Sequence, residues 1–219
     1  MAAKVSQHSL SVADMIGLRV FFCQENVYFC NMEIIKQNMR RFANISDLTF
    51  KKIADELTPC NLPKRSLLVK EGELANAAFF IEKGMTRSYW MVDGEEITTS
   101  FSTEGSLVFS MDEIYYGRPS EEYVEAIEDI EAYRIPADTL RRLVTTDLQL
   151  SVWWGAIHQW EYRRLHRSHK ERLTLPARER YEEFARQFPD VCRRAQRGYI
   201  ASYLGITLST LSRISNFLI

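Results

Sequence analysis

The spacing of apolar positions along the chain changes twice. Met32 opens a stretch of helical period, "MEIIKQNMRRFANISDLTFKKIADEL". From Asn61 to Pro136 the pattern becomes one of short apolar or β-rich runs, "SLLVKEG", "AAFFIEKG", "RSYWMVDG" and "ITTSFSTEG", punctuated by Gly72, Gly84, Gly94 and Gly105 every 10–12 residues. That rhythm predicts hairpins of an all-β roll or barrel, with glycine supplying the positive φ of tight turns. After "YRIP" the period is helical again. "ADTLRRLV" predicts a short helix and Asp147 to Leu173 a long one, with Leu150, Trp153, Ile157 and Trp160 as one apolar stripe and Trp154 beside it. Pro176 suits the first turn of a further helix, "PARERYEEFARQF", which Pro189 ends, so Thr174–Leu175 is a hinge candidate.

These changes divide the chain into an N-terminal extension without clear periodicity (1–31), a β-roll unit (32–136), a connecting and dimerisation helix (137–173) and a C-terminal helical unit (174–219). The expected class is α+β. In the last unit, "RGYIASYLGITLSTLSRI" has the chemistry of two short helices crossing closely. Ala201 is small at the crossing, Gly205 tolerates the turn, and Ile200, Leu204, Ile206, Leu211 and Ile214 form a miniature core. Thr207 can cap the second helix, leaving Leu208, Ser209, Thr210, Ser212 and Arg213 on its exposed sides.

Composition refines this picture in two places. The formal net charge is −1, but residues 1–146 carry 16 Lys+Arg against 22 Asp+Glu, whereas 147–219 carry 12 against 7. A basic C-terminal part is a hint of nucleic-acid contact, although a solvated Arg-rich helix such as "EYRRLHRSHKER" gives the same signal. Cys23, Cys30, Cys60 and Cys192 show no CxxC spacing and read as reduced thiols of a cytoplasmic protein. No apolar run approaches the roughly 20 residues of a membrane span, and the first residues are unlike a signal peptide. Nucleophile elbow, phosphate loop, paired metal ligands and a carboxylate dyad are all missing from the sequence, so neither an enzyme nor a metal or cofactor is expected.

The order of roll, long helix and C-terminal helix pair resembles the Crp/Fnr family of bacterial transcription regulators, from Met32 to Asn216. "VKEGE", "FFIEKGMTRSYWMVDGEE" and "FSTEGSLV" are similar to the family's roll, and "YIASYLGITLSTLSRI" to its DNA-reading unit. The resemblance implies an N-terminal double-stranded β-roll like a cyclic nucleotide-binding domain, and a homodimer joined along the long helix. It also implies a helix-turn-helix whose second helices enter successive major grooves of double-stranded DNA. Trp153, Ile157 and Trp160 are then the expected dimer seam. Arg197 and Tyr199 would position the DNA, as would Arg193 and Arg194 through phosphate, while Thr207, Leu208, Ser209, Thr210, Ser212 and Arg213 face it. RNA polymerase is a further partner for such a regulator. Only "SNFLI" follows Ile214, so little or no wing is expected.

The chain departs from the family where the ligand should bind. Cyclic-nucleotide-binding members hold ribose with a Gly-Glu pair and the cyclic phosphate with an Arg followed by Ser or Thr. In "GSLVFSMDEIYYGRPSEEYV" those places fall to Phe109-Ser110 and Ser120-Glu121. Residues 109–131 hold eight carboxylates against the single Arg118, a field that repels an anion. Arg118 substitutes only if the loop shifts by two residues. Cys23, Cys30 and Cys60 do not reproduce the family's iron–sulfur spacing, and His158, His166 and His169 read as helix-surface or dimer-packed residues better than as haem ligands. The remaining expectation is an effector site for an unknown small molecule, or an empty one, drawn from Phe101, Phe109, Ser110, Tyr115, Tyr116, Ser120, Glu121 and Tyr123. Leu208-Ser209 in place of the family's Arg-Glu keeps a second reading open, a ligand- or partner-binding module without productive DNA recognition.

Overall fold

The computed structural model describes residues 32–216; the expected N-terminal extension, with Cys23 and Cys30, and the last three residues, on which the wing expectation bears, lie outside them. Helices α1 (Glu33–Phe42) and α2 (Asp47–Ala54) precede the roll. The sequence pattern alone reads as one helical stretch. The break comes at Ala43, which is extended, and Ser46, whose Oγ accepts from the Thr49 N–H at 3.2 Å and starts α2 afresh.

Strands β1 (Thr58–Leu62), β2 (Leu67–Val69), β3 (Ala77–Lys83), β4 (Thr86–Val92), β5 (Glu95–Ser102), β6 (Leu107–Val108), β7 (Tyr123–Ala126) and β8 (Ile130–Pro136) form two antiparallel four-stranded sheets. Their orders are β1-β8-β3-β6 and β2-β7-β4-β5. Of the four glycine-marked turns, only Asp93-Gly94 closes a hairpin between paired neighbours, β4 and β5. At Gly72, Gly84 and Gly105 the chain crosses to the other sheet, which is how a roll forms instead of a meander. Gly84 shows why the residue type matters. Its φ is +103°, and a Cβ there would lie 2.5 Å from the Asp129 carbonyl oxygen.

The apolar run of β3 is buried on both faces because the strand lies between two cores. Ala77, Phe79 and Ile81 face the roll interior with Leu68, Val108, Val124 and Ile130. Ala78 and Phe80 face outward onto the helices with Ile35, Met39, Ile53, Leu140, Leu150 and Trp153. A six-residue helix, α3 (Met111–Tyr116), interrupts the roll between β6 and β7, and α4 (Ala137–Thr146) follows β8. The long helix α5 (Leu148–Thr174) is capped by Asp147, whose carboxylate accepts from the N–H groups of Gln149 and Leu150. The C-terminal unit comprises α6 (Ala177–Gln187), α7 (Pro189–Arg194), α8 (Arg197–Leu204) and α9 (Leu208–Asn216). Pro189 does not simply end α6; it occupies the first turn of α7, where its missing N–H costs nothing.

Candidate nucleic-acid interface and roll interior

Helices α8 and α9 are joined by Gly205 in the left-handed conformation (φ +64°), whose N–H returns to Ser202 O. Ile200, Ala201, Leu204 and Leu211 are buried between them and α6, as the apolar template requires. Thr207 caps α9, its Oγ1 accepting from the Thr210 N–H at 3.1 Å and bonding the Ser209 and Thr210 hydroxyls. Leu208, Ser209 and Arg213 are exposed, and Thr210 and Ser212 half-buried, so the five stay on the open side of α9. Arg197 is exposed at the start of α8 and its guanidinium bonds Ser215 Oγ, tying the two helices together.

The other side of α8 is not free. Tyr199, Ser202 and Tyr203, at i, i+3 and i+4, lie against the roll. The Arg87 guanidinium stands 3.7 Å over the Tyr199 ring, and Phe101 packs on Phe184 and Tyr203. Ser202 Oγ accepts from the Thr98 N–H at 2.9 Å and donates to Glu96 O at 3.0 Å, covering backbone groups of β5, the edge of its sheet. Arg194, at the end of α7, meets both Glu104 and Glu128. Tyr199 and Arg194 are therefore engaged inside the chain.

The eight residues expected to line one effector pocket fall in separate places. Phe101 and Tyr123 lie on the outer face of their sheet, Phe101 beneath α8 and Tyr123 stacked on Tyr89 at 5.0 Å. Strand parity explains it. Val124 and Ala126 face inward, so their neighbour Tyr123 faces out, and Phe101 is paired with outward Arg87. Phe109 and Tyr115 belong to an aromatic patch with Trp154 and His158 where α3 meets α5, and Tyr116 is exposed. His158 donates from Nδ1 to Trp154 O at 2.6 Å and accepts from the Tyr115 hydroxyl at 2.7 Å, leaving neither ring nitrogen for a metal. Ser110 is buried as the cap of α3, and buried Ser120 bonds the backbone of Glu122.

Arg118 sits on the surface, held by Asp112 at 2.7 Å and Glu121 at 3.0 Å, so it does not reach the roll interior as a phosphate anchor. In its place the inward positions of the second sheet carry Thr86 and Ser88, paired with Ala126 and Val124, and Ser100 and Ser102 across from them. Thr86 Oγ1 is buried without a hydrogen-bond partner. Glu122 lies in the bend before β7, partly buried, and burial, helped by the Asp112 charge, pushes its carboxyl up to about 7. Glu113 is spoken for. Its carboxylate accepts from the N–H groups of Ala75 and Asn76, pinning α3 to the β2–β3 connection. Choosing lining residues by aromatic type misses this hydroxyl-lined interior; the parity set by Val124 and Ala126 is the signal that finds it.

The expected dimer seam also divides. Trp153 is 2% exposed and stacks on Phe80 within the same chain, and Ile157 packs beside it, so both serve the chain's own core. Trp160 is half exposed, edge-on to Phe42. The open face of α5 lies opposite, where Leu148, Val152, Gly155, Gln159, Tyr162, His166, His169 and Leu173 recur at alternating spacings of four and three. Leu148, Val152, Tyr162 and Leu173 are exposed.

Residues 59–147 match the family model of the cyclic nucleotide-binding domain. The structure superposes on FixK2 from Bradyrhizobium japonicum with a TM-score of 0.63 at 24% identity, covering 74% of this chain and 84% of that one. The chain has the Crp/Fnr fold. A transcriptional regulator of the Crp/Fnr family from Eubacterium rectale gives 0.63 at 16% identity, covering 79% and 83% of the two chains. The c-di-GMP-responsive global regulator CLP of Xanthomonas campestris gives 0.62 at 14%, covering 79% and 91%. No curated protein matches the sequence significantly. Among the described residues no helix is long and apolar enough to cross a membrane, and no cluster of His, Cys, Asp and Glu is placed to hold a metal. Cys60 and Cys192 are free thiols, and burial pushes Cys192 up to about 11.

Proposed function

We propose that the chain is a homodimeric, sequence-specific DNA-binding transcription regulator, not an enzyme, whose roll does not use a cyclic nucleotide. The observation that carries the DNA reading is the α8–Gly205–α9 pair. The second helix is capped, apolar toward the first, and open along Ser209, Thr210, Ser212 and Arg213. That is the geometry a recognition helix needs for the major groove. Thr207 and Leu208 stand at its leading end, and Arg197 lies where the first helix crosses the DNA backbone. A gel shift with genomic fragments at two salt concentrations tests it. Selective binding that weakens with salt is expected, and a binding module without DNA recognition gives neither property.

A second copy fits the open face of α5. Positions at alternating spacings of four and three face the partner in a left-handed helix pair; here they bring the exposed Leu148, Val152, Tyr162 and Leu173 onto one seam with Gln159, His166 and His169 between them, and Gly155 lets two backbones approach. Val152→Glu places a charge there without touching the chain's own core, and light scattering is expected to find a monomer where the native chain is a dimer. An unchanged dimer refutes the seam. The roll's inner hydroxyls suit an uncharged polar effector better than a cyclic phosphate, because Arg118 is neutralised outside. RNA polymerase and a cytoplasmic setting are the partner and place such a regulator requires.

A further inference from the structure

The surface by which the C-terminal unit rests on the roll is rich in charge. Arg194 donates from Nη1 and Nη2 to Glu104 at 3.0 and 2.8 Å, and from Nε and Nη2 to Glu128 at 3.0 and 2.5 Å, so one guanidinium satisfies two carboxylates. Glu104 also accepts from the Gly84 N–H at 3.0 Å, which fixes it in the β5–β6 turn. Burial alone would push its carboxyl up, but the hydrogen bonds from Arg194 and from backbone N–H groups outweigh it and hold it below the ordinary carboxylate range. Beside this pair, Arg87 is buried between the Tyr89 and Tyr199 rings and bonds Glu96 and Glu125.

Two features mark the contact as separable. Arg87 Nε and Thr98 Oγ1 are buried without hydrogen-bond partners in this region, next to Tyr199 and Ser202 of α8, so opening the contact lets water reach this edge of the roll. The contact has an apolar part, in which Met85, Ile127 and Phe101 of the roll share a cluster with Phe184, Ile200 and Tyr203, and a polar part of ion pairs and single hydrogen bonds, which can be exchanged for water or phosphate. Their position is the second point. Arg194 stands three residues before α8, the helix that crosses the DNA backbone if the DNA-binding reading holds.

We propose that docking on the roll is autoinhibitory: Glu104 and Glu128 occupy Arg194 in place of a DNA phosphate, and release of the C-terminal unit frees that arginine for the DNA backbone. The proposal rests on the DNA-binding reading but is separable from it by experiment. In the docked state two carboxylates bind one guanidinium, which leaves an excess negative charge close to the path of the DNA backbone. Breaking the latch removes that repulsion and adds one phosphate contact.

The test uses the full chain and its Glu104→Gln/Glu128→Gln variant, which keeps side-chain shape and, through the amide oxygen at position 104, an acceptor for the Gly84 N–H. Binding to a random-sequence DNA duplex is followed by anisotropy over a salt series, and docking by hydrogen exchange at the Thr98 amide, which Ser202 protects only when α8 is seated. The variant is expected to exchange faster and to bind on the order of tenfold tighter at low salt, as one more charged contact gives. Its log–log salt dependence should steepen by about 0.9. Adding Arg194→Ala should abolish both gains in DNA binding while exchange stays fast. Unchanged exchange overturns the latch, and faster exchange without tighter binding overturns autoinhibition. If neither protein binds duplex at any salt, the DNA reading falls and autoinhibition with it, while exchange still judges whether the ion pairs hold the unit down.

Discussion

Glu122→Gln is the substitution that reports most directly on the burial of the bend that leads into β7. The Glu122 carboxyl is raised from 4.5 to about 7, first by burial and then by the Asp112 charge. A folded-state value above the unfolded one means that the native protein holds this proton more tightly. Its contribution to stability is complete below the unfolded value and is lost as pH rises through about 7. With about 1.4 kcal/mol per pKa unit, the loss approaches about 3 kcal/mol. Glutamine keeps the shape and the uncharged state at every pH. The variant should therefore match the native chain near pH ~4.5 and exceed it at about pH 8 by roughly 2–3 kcal/mol. Urea unfolding of the two proteins across that range measures the difference directly, and a carboxylate such as Glu104, whose shift runs downward and has no part in that of Glu122, cancels in the comparison. A difference that is the same at both ends, or a variant less stable at high pH, refutes the burial of the Glu122 carboxyl.

Three further outcomes follow from the geometry. Gly205→Ala meets open space, so only its φ of +64° is strained and the cost should be about 1 kcal/mol by thermal melting; Gly84→Ala adds a backbone clash at 2.5 Å and should cost about 3 kcal/mol or more, and equal losses would contradict this account of the two turns. Calorimetry should find no micromolar binding of cyclic AMP or cyclic GMP, because Arg118 is committed to Asp112 and Glu121 on the surface; tight binding of either would overturn that assignment. Arg213→Ala should weaken selective DNA binding about 5- to 150-fold and leave non-specific binding nearly intact, whereas Arg197→Ala should weaken all sequences alike and flatten the salt dependence. Equal losses on both kinds of DNA for Arg213→Ala would remove it from base reading.

Much of the fold was legible because periodicity is written into single elements. The stripe Leu150, Trp153, Ile157 marks α5, and Ala201, Gly205 and Leu211 mark the helix pair, since each constraint acts within one or two turns of chain. What a stripe packs against is not local. Trp153 reads as a contact for a second copy, but Phe80, far away in sequence, claims that face, and the open side of the helix holds the smaller Val152 and Gly155. The roll pocket failed for a similar reason. Aromatic type suggested Phe101 and Tyr123 as lining, while the alternation of strand faces, fixed by Val124 and Ala126, sends both outward.

The division of charge shows how one sequence signal can serve two contacts. The basic C-terminal part, 12 Lys+Arg against 7 Asp+Glu, is a hint of DNA, and the acidic part, 16 against 22, holds the carboxylate-rich stretch that argues against an anionic ligand. In the structure the two meet. Arg194 joins Glu104 and Glu128, and Arg87 in the roll, held by Glu96 and Glu125, stacks on Tyr199 of α8. Part of the positive charge that would reach for phosphate is thus balanced within the chain. If the DNA-binding reading holds, the acidic roll competes with phosphate for Arg194. If the chain is the regulator proposed above, such a balance lets the roll influence DNA binding without a phosphate anchor. Anything that binds the roll and shifts the β5–β6 or β7–β8 turns moves Glu104 or Glu128, and so alters the affinity of the C-terminal unit for the roll by up to the free energy of those ion pairs.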